Sequence, residues 1–185
     1  MPVEQAESIA VIGAGTAGRE LARRAAVAGY RVVLEDLVPT SLAAAQQEIR
    51  RMLDAVVVAG QLDAARAEEV CSRIECVNSI EAAARRSRIV METGPDEFES
   101  KLEMFCLLDR FALPGTVIVS NSRQLELSDT AALAASVVGL NFDGDSAEIH
   151  CSSFTNPAAL DVARQLASRM AASYKVIGEM QAAKA

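Results

Sequence analysis

Short apolar runs alternate along the chain with longer stretches in which apolar positions recur every three to four residues. Ile9 to Ile12, Arg31 to Leu34, Arg88 to Met91, Val117 to Ser120 and Val137 to Leu140 are β-branched-rich and bounded by Gly, Asp, Pro or Asn. Each predicts a strand. Glu75 to Val77, Glu148 to Cys151 and Lys175 to Ile177 carry the same pattern more weakly. Helical spacing covers Thr16 to Ala28, a stretch from Pro39-Thr40-Ser41 to about Gly60, another from Asp63 to about Ile74, then Asp96 to Phe111 and Asn156 to Ser173. Gly29 follows the first helix where a left-handed C-terminal residue is expected. Strands alternating with helices predict an α/β fold with a doubly wound, mostly parallel sheet. Residues 1–185 are expected to form one domain, with frayed ends at 1–7 and 181–185.

Composition narrows the function classes. Of 185 residues, 51% are hydrophobic and 23% charged, which supplies ample surface for a core and excludes a disordered chain. The formal net charge of −7 argues against nucleic acid or an anionic membrane as partner, since both select clustered cations. No apolar window is long enough to span a bilayer, and Met1 to Gln5 lacks the basic head and apolar stretch of a signal peptide. Cys71, Cys76, Cys106 and Cys151 form no CxxC pair, and the one histidine, His150, stands beside Cys151 alone, so neither a disulfide framework nor a metal site is expected. A cytoplasmic location with reduced thiols is expected.

The sharpest motif is Gly13-Ala14-Gly15-Thr16-Ala17-Gly18, which follows the first strand and opens the first helix. In such a GxGxxG loop the first glycine allows a tight turn and the second lets the backbone approach a pyrophosphate. The third lets helix and strand pack closely, and the helix N-terminus offers amide donors to the phosphates. The second strand ends in Glu35-Asp36, with Asp36 18 residues after Gly18, where an acidic side chain accepts from the adenosine ribose hydroxyls. Both carboxylates would repel a 2′-phosphate and no arginine directly follows, so NAD is expected rather than NADP. The complete fingerprint makes the expected fold Rossmann-like.

These features together resemble the NAD-binding domain of the L-3-hydroxyacyl-CoA (3-hydroxybutyryl-CoA) dehydrogenase family. The resemblance rests on Ile9 to Thr16, on Ala28-Gly29-Tyr30-Arg31-Val32-Val33-Leu34, and on a helical hairpin over about residues 40–74 after the second strand. It extends to Val90-Met91-Glu92 with Pro95-Asp96 and Lys101, similar to an IEAxPE…K segment. Val119-Ser120-Asn121-Ser122 resembles SNTSS, and Gly139-Leu140-Asn141-Phe142 stands where the family has G-x-H-F. It implies that Asn121 lies near the nicotinamide ribose and that Glu92 and Lys101 lie by the cofactor cleft. Spacing alone leaves Asn121 equally a turn residue and Glu92 equally a strand-end carboxylate.

The same resemblance implies a catalytic histidine where this chain has Asn141, and a substrate-holding serine where it has Arg123. A carboxamide cannot exchange a proton near neutral pH, and general acid–base help is typically worth about 10²- to 10⁴-fold. The family's orienting glutamate lies 12 residues after its histidine. Ungapped counting reaches Ser153, and a three-residue deletion reaches His150, so no His–Glu pair is expected. His150, the one histidine, reads either as a relocated base or as a strand residue between Ile149 and Cys151. The family's C-terminal helical domain is expected to be absent, and the cation-free stretch 54–61 argues against CoA recognition. Val56 to Ala59 reads as ordinary helix packing, with a partner or self-contact as the alternative.

Three functions follow as expectations. The first is an NAD(H)-binding protein of the 3-hydroxyacyl-CoA dehydrogenase type with little or no activity alone. The second is an oxidoreductase on a smaller acidic substrate held by Arg123, with His150 as base and a homo-oligomer closing the site. The third is non-enzymatic: a redox sensor, or a subunit of a split dehydrogenase whose partner supplies the helical domain.

Overall fold

The computed structural model describes residues 7–94, 97–122, 136–153 and 155–178, and the backbone but not the side chain of Phe98. The strands are β1 (Ser8–Ile12), β2 (Arg31–Glu35), β3 (Ile74–Val77), β4 (Ile89–Glu92), β5 (Val117–Ser120), β6 (Val137–Asp143), β7 (Ser146–His150) and β8 (Ser173–Ile177). The helices are α1 (Thr16–Val27), α2 (Pro39–Val58), α3 (Ala64–Ser72), α4 (Ile80–Ala84), α5 (Phe98–Phe111) and α6 (Pro157–Met170).

The eight strands form one sheet in the order β3-β2-β1-β4-β5-β6-β7-β8. All neighbours are parallel except β6 and β7, which form an antiparallel hairpin. The chain winds outward from β1 to β3 and then returns to place β4 on the other side of β1. That reversal opens a crevice over the C-terminal ends of β1 and β4, where ligands of doubly wound sheets bind.

Side chains alternate across the strands, so each sheet face has its own core. Ile9, Val11, Leu34, Met91 and Leu140 pack with α1, α2 and α6 on one face. Ala10, Ile12, Val33, Val90 and Ile118 pack with Ile80, Ala83 and Ala84 of α4 and Phe105 and Leu108 of α5 on the other. Helix starts follow local chemistry. Asp63 caps α3 by accepting from the Arg66 amide at 2.7 Å, and Asn156 caps α6 by accepting from the Ala159 amide at 2.7 Å. Pro39 stands in the first turn of α2, where a missing N–H costs nothing. Arg24 ties three elements together: it donates to the carbonyls of Met170 at the end of α6 and Gly144 in the β6–β7 turn, pairs with Glu20, and lies over the Phe142 ring.

Several boundaries move from their sequence positions. β6 continues three residues past Leu140 because Asn141, Phe142 and Asp143 pair with Glu148, Ala147 and Ser146. β7 accordingly starts at Ser146 and ends at His150. α4 had no counterpart in the periodicity; at five residues it is too short for a repeating stripe, though Ser79 caps it by accepting from the Ala82 amide. α6 ends at Met170, and Ser173 already belongs to β8. At the end of α2, Val57 packs on the core as expected, whereas Val58 is 88% exposed. Among the described residues no helix is long and apolar enough to cross a membrane.

Candidate functional site

The crevice has a phosphate-loop end and an amide end, and the sequence candidates divide between them. At the first, β1 runs into Gly13, whose φ of +101° favours glycine and whose added Cβ would come 2.8 Å from Thr93 Oγ1. Thr93 Oγ1 donates to the Ile12 carbonyl at 2.8 Å, fastening the loop after β4 to the turn. A Cβ on Gly18 would meet the Gly13 carbonyl oxygen at 1.8 Å, so α1 can lie this close to the loop only with glycine there.

Gly15 differs from both. It is the N-cap of α1 with an ordinary φ of −70°, and a Cβ there would meet nothing within 4 Å among the described residues. Packing does not demand glycine at this position; a ligand approaching the backbone would. No side chain caps α1 and its first turn holds no acidic residue, so the amides around Thr16 and Ala17 keep their donor capacity. Asp36 closes this end. One carboxylate oxygen accepts from the Ala14 amide at 3.0 Å and the other from the Val38 amide at 2.9 Å, holding the acid at the rim with lone pairs to spare. The residues present therefore fit a dinucleotide's pyrophosphate and ribose.

At the amide end, Glu92 is 1% exposed, and its carboxylate is fully engaged from within. Oε1 accepts from the Gly94 amide at 2.6 Å, while Oε2 accepts from Lys101 Nζ at 3.0 Å and Ser120 Oγ at 2.9 Å. The Glu92 carbonyl accepts from the Asn121 amide at 3.0 Å, Ser120 Oγ accepts from the Ser122 amide, and Asn141 Nδ2 donates to the Ser122 carbonyl at 3.3 Å. One polar chain thus runs from Lys101 on α5 to Asn141 on β6. Asn141 is 5% exposed within it. Ser120, Ser122 and Thr93 were not singled out by sequence reasoning; the SN pair was the one signal that pointed their way. Arg123 lies outside the described residues, as do Pro95 and Asp96.

Register supplies what spacing could not. Val77, Glu35, Ile12, Glu92, Ser120, Gly139, His150 and Ile177 are successive cross-strand partners, one row on one face at the sheet's C-terminal edge. Glu35, Glu92, Ser120 and His150 are the polar members of this row, with Val77, Ile12, Gly139 and Ile177 among them. The β6–β7 turn is tight, so the carboxylate opposite Asn141 is Glu148, seven residues on. This corrects the expectation that no carboxylate attends His150: its Nε2 lies 3.5 Å from Glu148 Oε2, close but not aligned as a hydrogen bond, and is sealed from solvent. Lys175 on β8 also binds Glu148, at 2.7 Å, and holds its carboxyl below the usual range. Among the described residues no three His, Cys, Asp or Glu side chains gather as metal ligands.

Sheet order, phosphate loop and rim carboxylate define a dinucleotide-binding domain of the doubly wound class. The family model for the 3-hydroxyacyl-CoA dehydrogenase NAD binding domain matches residues 8–142, and the chain belongs to that family, whose cofactor is NAD. It is 30% identical over 139 residues to a probable 3-hydroxybutyryl-CoA dehydrogenase of Bacillus subtilis, covering 74% of this chain and 48% of that protein. It is 31% identical over 139 residues to the 3-hydroxyadipyl-CoA dehydrogenase of Escherichia coli, covering 74% of this chain and 29% of that one. The crystal structure of 3-hydroxybutyryl-CoA dehydrogenase from E. coli superimposes with a TM-score of 0.86 at 25% identity, over 94% of this chain and 38% of that one. The chain thus spans under half the length of these relatives.

Proposed function

We propose that the chain binds NAD(H) in this crevice and has little or no 3-hydroxyacyl-CoA dehydrogenase activity by itself. Gly13, Gly15, Thr16, Ala17 and Gly18 receive the pyrophosphate, Asp36 the adenosine ribose and Asn121 the nicotinamide ribose. When bound, NAD supplies the hydride acceptor. Glu92 and Lys101 act from beneath: with both carboxylate oxygens engaged internally, Glu92 positions the Ser120–Asn121–Ser122 segment rather than touching cofactor.

The observation that carries the proposal is Asn141. It occupies the position implied for the proton-exchanging histidine, yet it is a buried carboxamide committed as donor to the Ser122 carbonyl. It can orient a neighbouring oxygen but has no proton to trade near neutral pH. Dehydrogenation of an acyl-CoA at this crevice requires a proton carrier that Asn141 does not supply. The proposed location is the cytoplasm.

The test is a titration with NADH and, separately, NADPH, read by cofactor fluorescence, followed by assay with acetoacetyl-CoA. Micromolar NADH binding, weaker NADPH binding and no ketone reduction are expected. Turnover above about one per second, the low end for working enzymes, would refute the inactive reading.

One observation favours a second reading, an oxidoreductase acting on a smaller acidic substrate. His150 has a carboxylate partner after all in Glu148, on the sheet face that carries Ser120 and Asn141. On that reading His150→Gln abolishes turnover of a short hydroxy acid while leaving NADH affinity unchanged. Its sealed Nε2 places it second.

A further inference from the structure

Arg19 stands one turn into α1, and helical side chains tilt back towards the N-terminus of their helix. Its Nε donates to the Ala14 carbonyl at 2.8 Å, so the guanidinium is folded back onto the phosphate loop. The amide of the same Ala14 donates to Asp36, so the arginine and the rim carboxylate hold one loop residue from two sides. Arg19 is half-buried, whereas Gly15 and Thr16 are exposed, so this side of the loop is open to solvent.

The carboxylates around it are engaged elsewhere. Glu20, the next residue, pairs with Arg23 and Arg24. Glu48 of α2 accepts from Arg51 through both oxygens, at 2.8 and 2.6 Å. Asp36 accepts from the Ala14 and Val38 amides. Among the described residues Arg19 has no ion-pair partner. A cation drawn to a helix N-terminus also stands in the unfavourable field of the helix dipole. α1 has neither a side-chain cap nor an acid in its first turn to offset it. Guanidinium, unsatisfied amides and dipole thus converge with one sign on one loop, although the chain as a whole carries −7. Such a focus selects an anion.

An arginine keeps its donors in a planar fork that matches the oxygens of a phosphate. With Nε committed to Ala14, the two Nη atoms carry the remaining donors. We propose that Arg19 is a cofactor-binding residue whose guanidinium pairs with the pyrophosphate that the loop amides receive. The carboxylate of Asp36, held to the same loop residue, repels a 2′-phosphate and so favours the pyrophosphate as the anion. The GxGxxG fingerprint specifies nothing at this position, so Arg19 adds to the loop a charge that the motif does not contain. The assignment rests on the NAD(H) reading above.

The experiment compares the full chain with its Arg19→Gln and Arg19→Lys variants. Glutamine places an amide nitrogen where arginine has Nε, so it keeps a donor for the Ala14 carbonyl and removes only the charge and the Nη atoms. NADH and NADPH are titrated by fluorescence at about 0.05 and about 0.5 M salt, between which the screening length falls about threefold. Arg19→Gln is expected to bind NADH about tenfold more weakly than wild type at the lower salt, with unchanged urea unfolding. The gap is expected to narrow to about threefold at the higher salt, because a half-exposed charge pair is screened. NADPH is expected to lose the same factor as NADH, since both carry the pyrophosphate. Arg19→Lys, which keeps the charge without the fork, is expected to fall between wild type and Arg19→Gln. Unchanged NADH affinity, or a gap that salt does not alter, overturns the assignment and leaves the cofactor site standing. A loss confined to NADPH moves the contact to a 2′-phosphate and overturns it equally. Absence of NADH binding by the wild-type chain overturns both this assignment and the NAD(H) reading.

Discussion

Lys101 Nζ and Glu92 Oε2 meet at 3.0 Å beneath the crevice, joining α5 to the end of β4 with the lysine 12% and the glutamate 1% exposed. Ser120 Oγ shares the same oxygen, so the pair anchors the segment that carries Asn121. Removing one partner of a buried pair strands the other charge, which is worse than replacing both.

Lys101→Met is therefore expected to lower stability by about 3 kcal/mol in urea unfolding. Adding Glu92→Gln to it should recover part of that loss, since residues in contact do not act additively. Two losses that simply sum would show that the pair is not coupled.

Glu35 gives stability a pH dependence of definite sign. Its folded-state value of about 7 stands above the ordinary 4.5, so between these values the folded chain binds more protons than the unfolded one. Stability from this group is thus full below the ordinary value and falls as pH rises through that window, by about 3 kcal/mol at most. Glu35→Gln removes the effect. The stability difference between wild type and variant, measured by urea unfolding at pH 5 and pH 8, should shift by most of that amount; a constant difference would mean that the carboxyl ionises without penalty.

The two helix-opening glycines separate folding from binding. Gly18→Ala drives a methyl into the Gly13 carbonyl and should destabilise by about 3 kcal/mol or more, or prevent folding. Gly15→Ala adds its methyl to open space and should change stability by no more than about 1 kcal/mol, the scale of an N-cap change. NADH titration of the folded Gly15 variant should nonetheless show affinity lowered tenfold or more, about 1.4 kcal/mol. Undiminished binding would count against a pyrophosphate there.

Arg24 links α1, α6 and the β6–β7 turn through two backbone carbonyls and Glu20. Arg24→Ala should cost about 2 kcal/mol, because two carbonyls lose a charged donor and the Phe142 ring loses its cover. Hydrogen exchange should rise most at Gly144 to Ala147, and a uniform rise across the sheet would contradict this local role.

The phosphate-loop half of the molecule was legible in the sequence because its signals are local: Gly13 to Gly18 and Asp36 sit at fixed offsets from two apolar runs, and their roles follow from turn and helix-end geometry. The amide half was less legible. Whether Glu92 faces cofactor or Ser120, and that Glu148 rather than Ser153 or His150 stands opposite Asn141, depends on strand register and turn length, which are tertiary facts. Glu35 looked like a second acid at a strand end; only alternation across the sheet shows that it is buried while Asp36 stays at the rim. α4 was missed because five residues carry less than two helical turns of pattern.

Asp36 and Gly15 are bound to the ligand by different obligations. Asp36 braces the Ala14 and Val38 amides whether or not a nucleotide is near, and Gly18 is required by the packing of α1. Among the described residues none lies within 4 Å of where a Gly15 Cβ would stand. In a descendant that had given up dinucleotides, the acid and the third glycine would persist as scaffolding while the middle glycine drifted, so the history of cofactor use in this lineage is written at position 15.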